Sequence, residues 1–207
     1  MFNKIQYISQ GNTIHEQSRN ISAALDAGCQ WIQLRFKNAL STDLEALAED
    51  IQKSCARYQA TFIINDYPYI AKAVDADGVH LGLSDMTVRE AFAILGAHKI
   101  VGGTANTLED VKQRTTEGCK YIGLGPLRFT PTKQKLSPFL GLEGYNSILQ
   151  KLTLKEKAVP VYAIGGVIPE DIPSLLQYGV YGIALSGLIT NSRNKIQLMS
   201  DLKKYLA

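Results

Sequence analysis

Three groups of residues have types and spacings suited to chemistry on an anion. The first is Gln33-Leu34-Arg35-Phe36-Lys37. In extended chain alternate residues share a face, so Gln33, Arg35 and Lys37 would turn an amide, a guanidinium and an ammonium toward one ligand. Solvated rim charges are the plainer alternative for the two cations. The second group is Asn65-Asp66 and Ser84-Asp85, where carboxylates beside amide and hydroxyl groups offer the hard oxygen ligands that magnesium takes together with waters and substrate phosphate oxygens. Asp66 could merely begin a turn before Pro68, and Asp85 could merely cap a helix. Both together, opposite Arg35 and Lys37, favour a metal. The third group is Ala163-Ile164-Gly165-Gly166-Val167 with Ala184-Leu185-Ser186-Gly187. Glycines there would let a phosphate approach the main chain, although a glycine turn and a serine cap are the simpler reading of each loop alone.

His80 is a tempting base, but within a short apolar run a packed, hydrogen-bonded histidine is the better expectation. His15 and His98 read as surface residues. No serine or cysteine sits in a recognisable nucleophile setting, so hydrolase chemistry has little support.

These groups fall at the ends of repeated units. Gly28, Gly118 and Gly179 each precede a short apolar run, as expected where a helix ends on a left-handed glycine and a strand begins. Thr13-x-x-Glu16, Thr42-x-x-Glu45 and Thr87-x-x-Glu90 read as capping boxes that open helices. The strand candidates are Ile5–Ile8, Trp31–Arg35, Phe62–Asn65, Gly78–Leu81, Ile100–Gly103, Tyr121–Leu124, Val161–Ile164 and Gly182–Leu185. Strands alternating with helices imply a parallel sheet, and this many units imply closure into a single-domain (β/α)8 TIM barrel over residues 1–207. An open doubly wound sheet is the rival, but no Gly-x-Gly-x-x-Gly follows the first strand. In a barrel, polar residues at strand carboxyl ends converge on one mouth, and phosphate commonly binds after the last two strands. The polar, proline-bearing stretch Leu127–Pro138 leaves the sixth strand as a long loop, which in a compact domain is usually functional.

The bulk numbers agree with a small-molecule enzyme. A net charge of +3 is too slight and scattered for nucleic acid, yet suits an anionic substrate. No apolar stretch approaches the ~20 residues of a membrane span, and Met1–Tyr7 has no apolar core of a secretory signal. The three cysteines, Cys29, Cys55 and Cys119, are widely spaced, which argues against a disulfide framework or zinc site and for a reduced, cytoplasmic protein. A monomer and a homo-oligomer both remain open.

In that order and spacing the pieces resemble the thiamine-phosphate synthases. The resemblance rests on Gln33-Leu34-Arg35-x-Lys37, Asn65-Asp66, Asp77-Gly78-Val79-His80-Leu81-Gly82, Asp85, Gly125-Pro126, Thr130-Pro131-Thr132-Lys133, Ala163-Ile164-Gly165-Gly166 and Leu185-Ser186. It implies a magnesium-dependent joining of a hydroxymethylpyrimidine diphosphate to a thiazole phosphate, with pyrophosphate released. Diphosphate would leave first, and the thiazole nitrogen would capture the resulting pyrimidine carbocation. Carried over by position, Asp66 and Asp85 would hold Mg2+. Gln33, Arg35, Lys37, Asn65, Thr104 and Lys133 would hold the pyrimidine diphosphate, with Arg35, Lys37 and Lys133 as the catalytic cations. Thr130, Thr132, Gly166, Leu185 and Ser186 would hold the thiazole phosphate.

The chain departs from that pattern in places. Phe36 stands for an acidic residue, Thr104 for a serine, Ala105-Asn106 for Thr-His, and Arg128-Phe129 is atypical. A related thiazole tautomerase is one alternative, but those relatives carry a histidine where this chain has Pro126 and tend to lose the diphosphate-binding cations. A phosphate-ligand sensor without catalysis is another, though it would have no need of Asp66 and Asp85.

Overall fold

Strand alternation splits the apolar residues into two sets, and the barrel follows from where each set is buried. The computed structural model describes residues 2–37, 39–129 and 138–206. Its parallel strands are β1 (Ile5–Ile8), β2 (Trp31–Leu34), β3 (Thr61–Asn65), β4 (Gly78–Leu81), β5 (Ile100–Ala105), β6 (Tyr121–Leu124), β7 (Val161–Ile164) and β8 (Gly182–Leu185). They form a closed barrel in chain order, with β8 returning to β1. Around it run α1 (Ile14–Asp26), α2 (Ser41–Arg57), α3 (Pro68–Ala73), α4 (Val88–Leu95), α5 (Leu108–Thr116), α6 (Gly141–Gln150), α7 (Leu154–Lys157), α8 (Ile172–Gln177), α9 (Gly187–Thr190) and α10 (Lys195–Tyr205), with a 3-10 turn at Pro169–Asp171. No described helix is long and apolar enough to cross a membrane.

Outward strand residues such as Ile32, Leu34, Ile64, Val79, Val101 and Ile122 pack with the helices into one continuous core. Inward residues form a second cluster in the barrel itself: Ile8, Trp31, Ile63, Tyr121, Tyr162 and Ala184. Its large rings meet edge-on, with Trp31 centred 4.9 Å from Tyr121 and 5.1 Å from Tyr162, while Phe2 stacks on Trp31 at 5.3 Å. Glycines on neighbouring strands make room for them. A Cβ on Gly102 would lie 2.1 Å from the Tyr121 ring, and one on Gly182 would lie 2.6 Å from that of Tyr162. Bulky rings thus fill one end of the barrel, and the polar inward residues Gln33, Asn65, His80 and Thr104 lie at the other.

The helix signals are met unevenly. Gly28, Gly118 and Gly179 all have positive φ, between 87° and 99°, as the helix-to-strand repeat requires. Thr87 and Glu90 form the expected reciprocal capping box. Thr13 accepts from the Glu16 amide, but the Glu16 carboxylate bonds the amide of Asn12 instead. The expected box at Thr42 is absent: α2 begins at Ser41 and Leu40 holds the capping position without a side-chain bond, so Thr42 lies inside the helix. Thr107-Asp110 and Thr153-Glu156 supply complete boxes in units where none was expected. β2 stops at Leu34, one residue early, whereas β5 runs on to Ala105 and so brings Thr104 into the strand.

Candidate active site

A cavity of about 300 Å³ opens where the carboxyl ends of the strands converge. Gln33, Arg35, Asn65, His80 and Thr104 form one side. Gly165, Gly166, Ser186 and Gly187 form the other, with Ile8, Pro126 and Ile164 among the apolar residues between. Register brings the first side together: Leu34 pairs with Ile64, Asn65 with His80, and His80 with Gly102, so consecutive strands end at nearly one level.

Hydrogen bonds orient the polar side chains. Gln33 Nε2 donates to Asn65 Oδ1 at 2.9 Å, which leaves the Asn65 amide nitrogen to donate elsewhere. Gln33 Oε1 is buried without a partner, as is Ser186 Oγ. Buried polar atoms are normally satisfied, so both mark positions where a ligand atom would complete the bonding. Further in, Gln6 Nε2 donates to the Tyr121 hydroxyl at 3.2 Å. Tyr121 can then give its own proton to His80 Nδ1, 2.9 Å away, and His80 Nε2 can donate to Thr104 Oγ1 at 3.0 Å. In that tautomer the donors run in one direction along this chain, and the Thr104 proton is left for the cavity. His80 is 6% exposed, lines the cavity and is hydrogen-bonded on both ring nitrogens, the packed histidine that its apolar run led us to expect.

The charged groups stand at the rim between β2 and β4. Lys37 Nζ lies 3.1 Å from Asp66 Oδ2, so the two groups expected to meet separate partners neutralise each other here. Asp66 has φ +68°, a left-handed conformation in which aspartate and asparagine are the commonest residues after glycine. Its carboxyl is pushed up to about 6 by burial and by the Asp85 carboxylate against it, with Lys37 opposing. Asp85 accepts the Gly82 amide at 2.6 Å, which fixes the turn after β4; Thr87, not Asp85, caps α4. Burial also holds the Arg35 guanidinium below its ordinary value, with Asp66 opposing.

The predicted residues are therefore arranged in two sets. Gln33, Arg35, Asn65, Thr104, Gly166, Leu185 and Ser186 line the cavity, and Lys37, Asp66 and Asp85 stand beyond its lining. The Leu185 side chain belongs to the helix-facing core, so its main chain is what it can present to a ligand. Thr130, Thr132 and Lys133 lie outside the described residues.

Sequence reasoning missed several groups that shape the site. Gln10 and Asn191 line the cavity from the β1 and β8 ends. Arg114, 4% exposed, spans two strand ends: it donates to Gly82 O at 2.8 Å and Thr104 O at 3.2 Å, and pairs with Glu117 at 2.8 Å. Nothing in its sequence setting distinguishes it from a solvated helix arginine. Arg128 pairs with Asp171 across the loops after β6 and β7; its atypical identity was the available signal.

Comparison with known proteins gives this geometry a family. The profile described as thiamine monophosphate synthase matches residues 6–189. A thiamine-phosphate synthase of Flavobacterium psychrophilum is 58% identical over 206 residues, covering 100% of both chains. That of Flavobacterium johnsoniae is also 58% identical over 206 residues, covering 100% of this chain and 97% of its own. Among solved structures, a thiamine phosphate pyrophosphorylase from Pyrococcus furiosus superposes with a TM-score of 0.83 at 28% identity, over 98% of this chain and 95% of that one. With full-length identity of this order and the same barrel, the chain belongs to the thiamine monophosphate synthase family.

Proposed function

We propose that this barrel is a transferase that joins a hydroxymethylpyrimidine diphosphate to a thiazole phosphate and releases pyrophosphate, the reaction that the resemblance to the thiamine-phosphate synthases implies. The observation that carries this reading is a single cavity with amide and guanidinium groups on one side and glycine-loop main chain on the other. Two anionic small molecules can be gripped from opposite sides with their reacting atoms between. On this reading Gln33, Asn65 and Thr104 orient the pyrimidine, and Arg35, Lys37 and Lys133 take the diphosphate. Thr130, Thr132 and Ser186, with the main chain of Gly166 and Leu185, take the thiazole phosphate.

The donor set fits a magnesium ion. Asp66 and Asp85 are two carboxylates in contact, and the raised Asp66 carboxyl marks negative charge that a divalent cation would relieve. No group of three His, Cys, Asp or Glu gathers among the described residues, so the remaining ligands would be water and the substrate's own phosphate oxygens, the usual mode for magnesium. When bound, the ion would neutralise charge growing on the departing diphosphate. Lys37, which pairs with Asp66, would be available to turn toward the diphosphate with a cation on the carboxylates. Arg35 can grip the diphosphate with two parallel hydrogen bonds. The apolar residues Ile8, Pro126 and Ile164 limit water around the reacting carbon. Preorganised charge of this kind is usually the largest catalytic contribution, and the reaction asks for no protein nucleophile.

Pro126 in the cavity wall supports the synthase over the tautomerase, since the imidazole of those relatives is replaced by a ring without a proton to move. Turnover decides among the alternatives. Purified protein with both substrates and magnesium should form thiamine phosphate and pyrophosphate in equal amounts. Isomerisation of the thiazole alone would indicate the tautomerase, and binding without conversion would indicate a sensor.

A further inference from the structure

The loops after β6 and β7 run side by side. Leu127 N donates to Ile164 O at 2.9 Å, and Arg128 N donates to Gly165 O at 3.0 Å. The Arg128 side chain then crosses to the second loop. Its Nη1 donates to Gly166 O at 2.6 Å, and its Nη2 donates to Asp171 Oδ1 at 2.8 Å, with Nη1 on the other carboxylate oxygen. Asp171, 5% exposed, also accepts the Ile168 amide at 2.9 Å. Burial alone would raise its carboxyl, yet the Arg128 fork and that amide hold it below the usual carboxylate range. The arginine stem matters as well. Gly166 has φ +74°, and a Cβ there would lie 2.4 Å from Arg128 Cγ, so the stem fills the space that a side chain would need. Carbonyl, carboxylate and stem contacts together hold Gly165-Gly166-Val167 from outside the cavity.

We propose that Arg128 is a positioning residue that sets the loop after β7 in the form that receives the thiazole phosphate. It does not itself line the cavity, so it acts through Gly166 and Asp171. A bidentate guanidinium–carboxylate pair fixes orientation as well as distance, and a small displacement of a binding loop is costly even far from the reacting atoms. The inference rests on the functional reading above and adds to it a substrate-specific prediction, because the pyrimidine side of the cavity lies on other strands.

The test uses the whole chain and both substrates. Arg128→Met keeps the stem and removes the fork. Its KM for thiazole phosphate should rise on the order of ten- to a hundredfold, the scale of a lost charge-assisted hydrogen-bond pair. Its KM for the pyrimidine diphosphate should stay within about twofold, a change worth well under 1 kcal/mol. Asp171→Asn should show the same asymmetry, and the double variant should be little worse than the poorer single one, since both remove one interaction. Arg128→Lys, which keeps charge without the fork, serves if the methionine variant does not fold, and should give an intermediate thiazole KM. An unchanged thiazole KM in a folded variant, or an equal rise in both KM values, overturns the role. Lack of turnover by the unaltered protein would instead overturn the functional reading, so the two failures are separable.

Discussion

Replacing Asp66 by asparagine should destroy activity while making the metal-free protein more stable. Folding raises the Asp66 carboxyl from 3.8 to about 6, through burial first and the Asp85 carboxylate second. At 1.36 kcal/mol per pKa unit, keeping it ionised in the folded apoprotein costs on the order of 3 kcal/mol. Asparagine removes that cost, and the 3.1 Å pair with Lys37, which opposes the rise, is already contained in it. Backbone strain should not intervene, because asparagine tolerates the left-handed conformation as readily as aspartate. The gain is up to about 3 kcal/mol, or a Tm rise of up to about 10 °C for a chain of this size.

The gain should depend on pH in a defined direction. Between 3.8 and about 6 the folded protein holds a proton at Asp66 that the unfolded chain has released. Stability of the unaltered protein therefore falls as pH rises through that window. The variant's advantage should be full above about pH 7 and gone by about pH 4. Thermal unfolding of chelator-treated protein at those two values measures it. A variant no more stable than the parent at neutral pH, or a gain that persists at the acid end, refutes the reasoning. Asp85→Asn should relieve the same repulsion, so the double variant should gain less than the sum of the two single gains. Turnover with magnesium should meanwhile fall by about 10² or more, as for loss of a preorganised electrostatic group.

Chelator-treated protein should lose turnover and regain it with added magnesium; full rate without any divalent cation would remove the metal role from Asp66 and Asp85. Lys133→Ala should lower kcat more than it raises KM if, as proposed, its charge serves the departing diphosphate rather than the bound substrate, whereas Arg35→Ala should affect both; single-turnover kinetics separates them, and a change in KM alone for Lys133→Ala would leave it a binding residue. Gly102→Ala should cost about 1–3 kcal/mol or more by overpacking, since its Cβ would lie 2.1 Å from the Tyr121 ring; denaturant unfolding with no loss of stability would show that the inner aromatic cluster adjusts freely.

The barrel was legible because its signals are local. A left-handed glycine before a strand, a threonine-glutamate cap before a helix and a short apolar run each report the conformation of a few neighbouring residues, and together they gave every strand within a few residues. The miss at Thr42 has a local cause too: the Thr-x-x-Glu spacing also occurs inside a helix, and only the chain's path at Leu40 and Ser41 settles where the first turn begins. The extension of β5 to Thr104 was less legible, because pairing with Gly123 on β6 decides it.

The types of the site residues, and hence the class of chemistry, came from the sequence, since cations, carboxylates and glycine loops at strand ends have few other uses in concert. Their partnerships came only with the tertiary structure. Lys37 and Asp66, which the sequence assigns to different ligands, pair across neighbouring strand ends. Arg114 binds two strand ends from a helix, and Arg128 reaches Asp171 across 43 residues of sequence. A residue's type limits what it can bond, but which charge it meets, and how far from water, depends on strands that the chain brings together only when the barrel closes. That closure, which raises the Asp66 carboxyl and buries Arg114, is why residue types and spacing could point to an anionic ligand and a metal, and a family resemblance to the reaction, without giving the electrostatics.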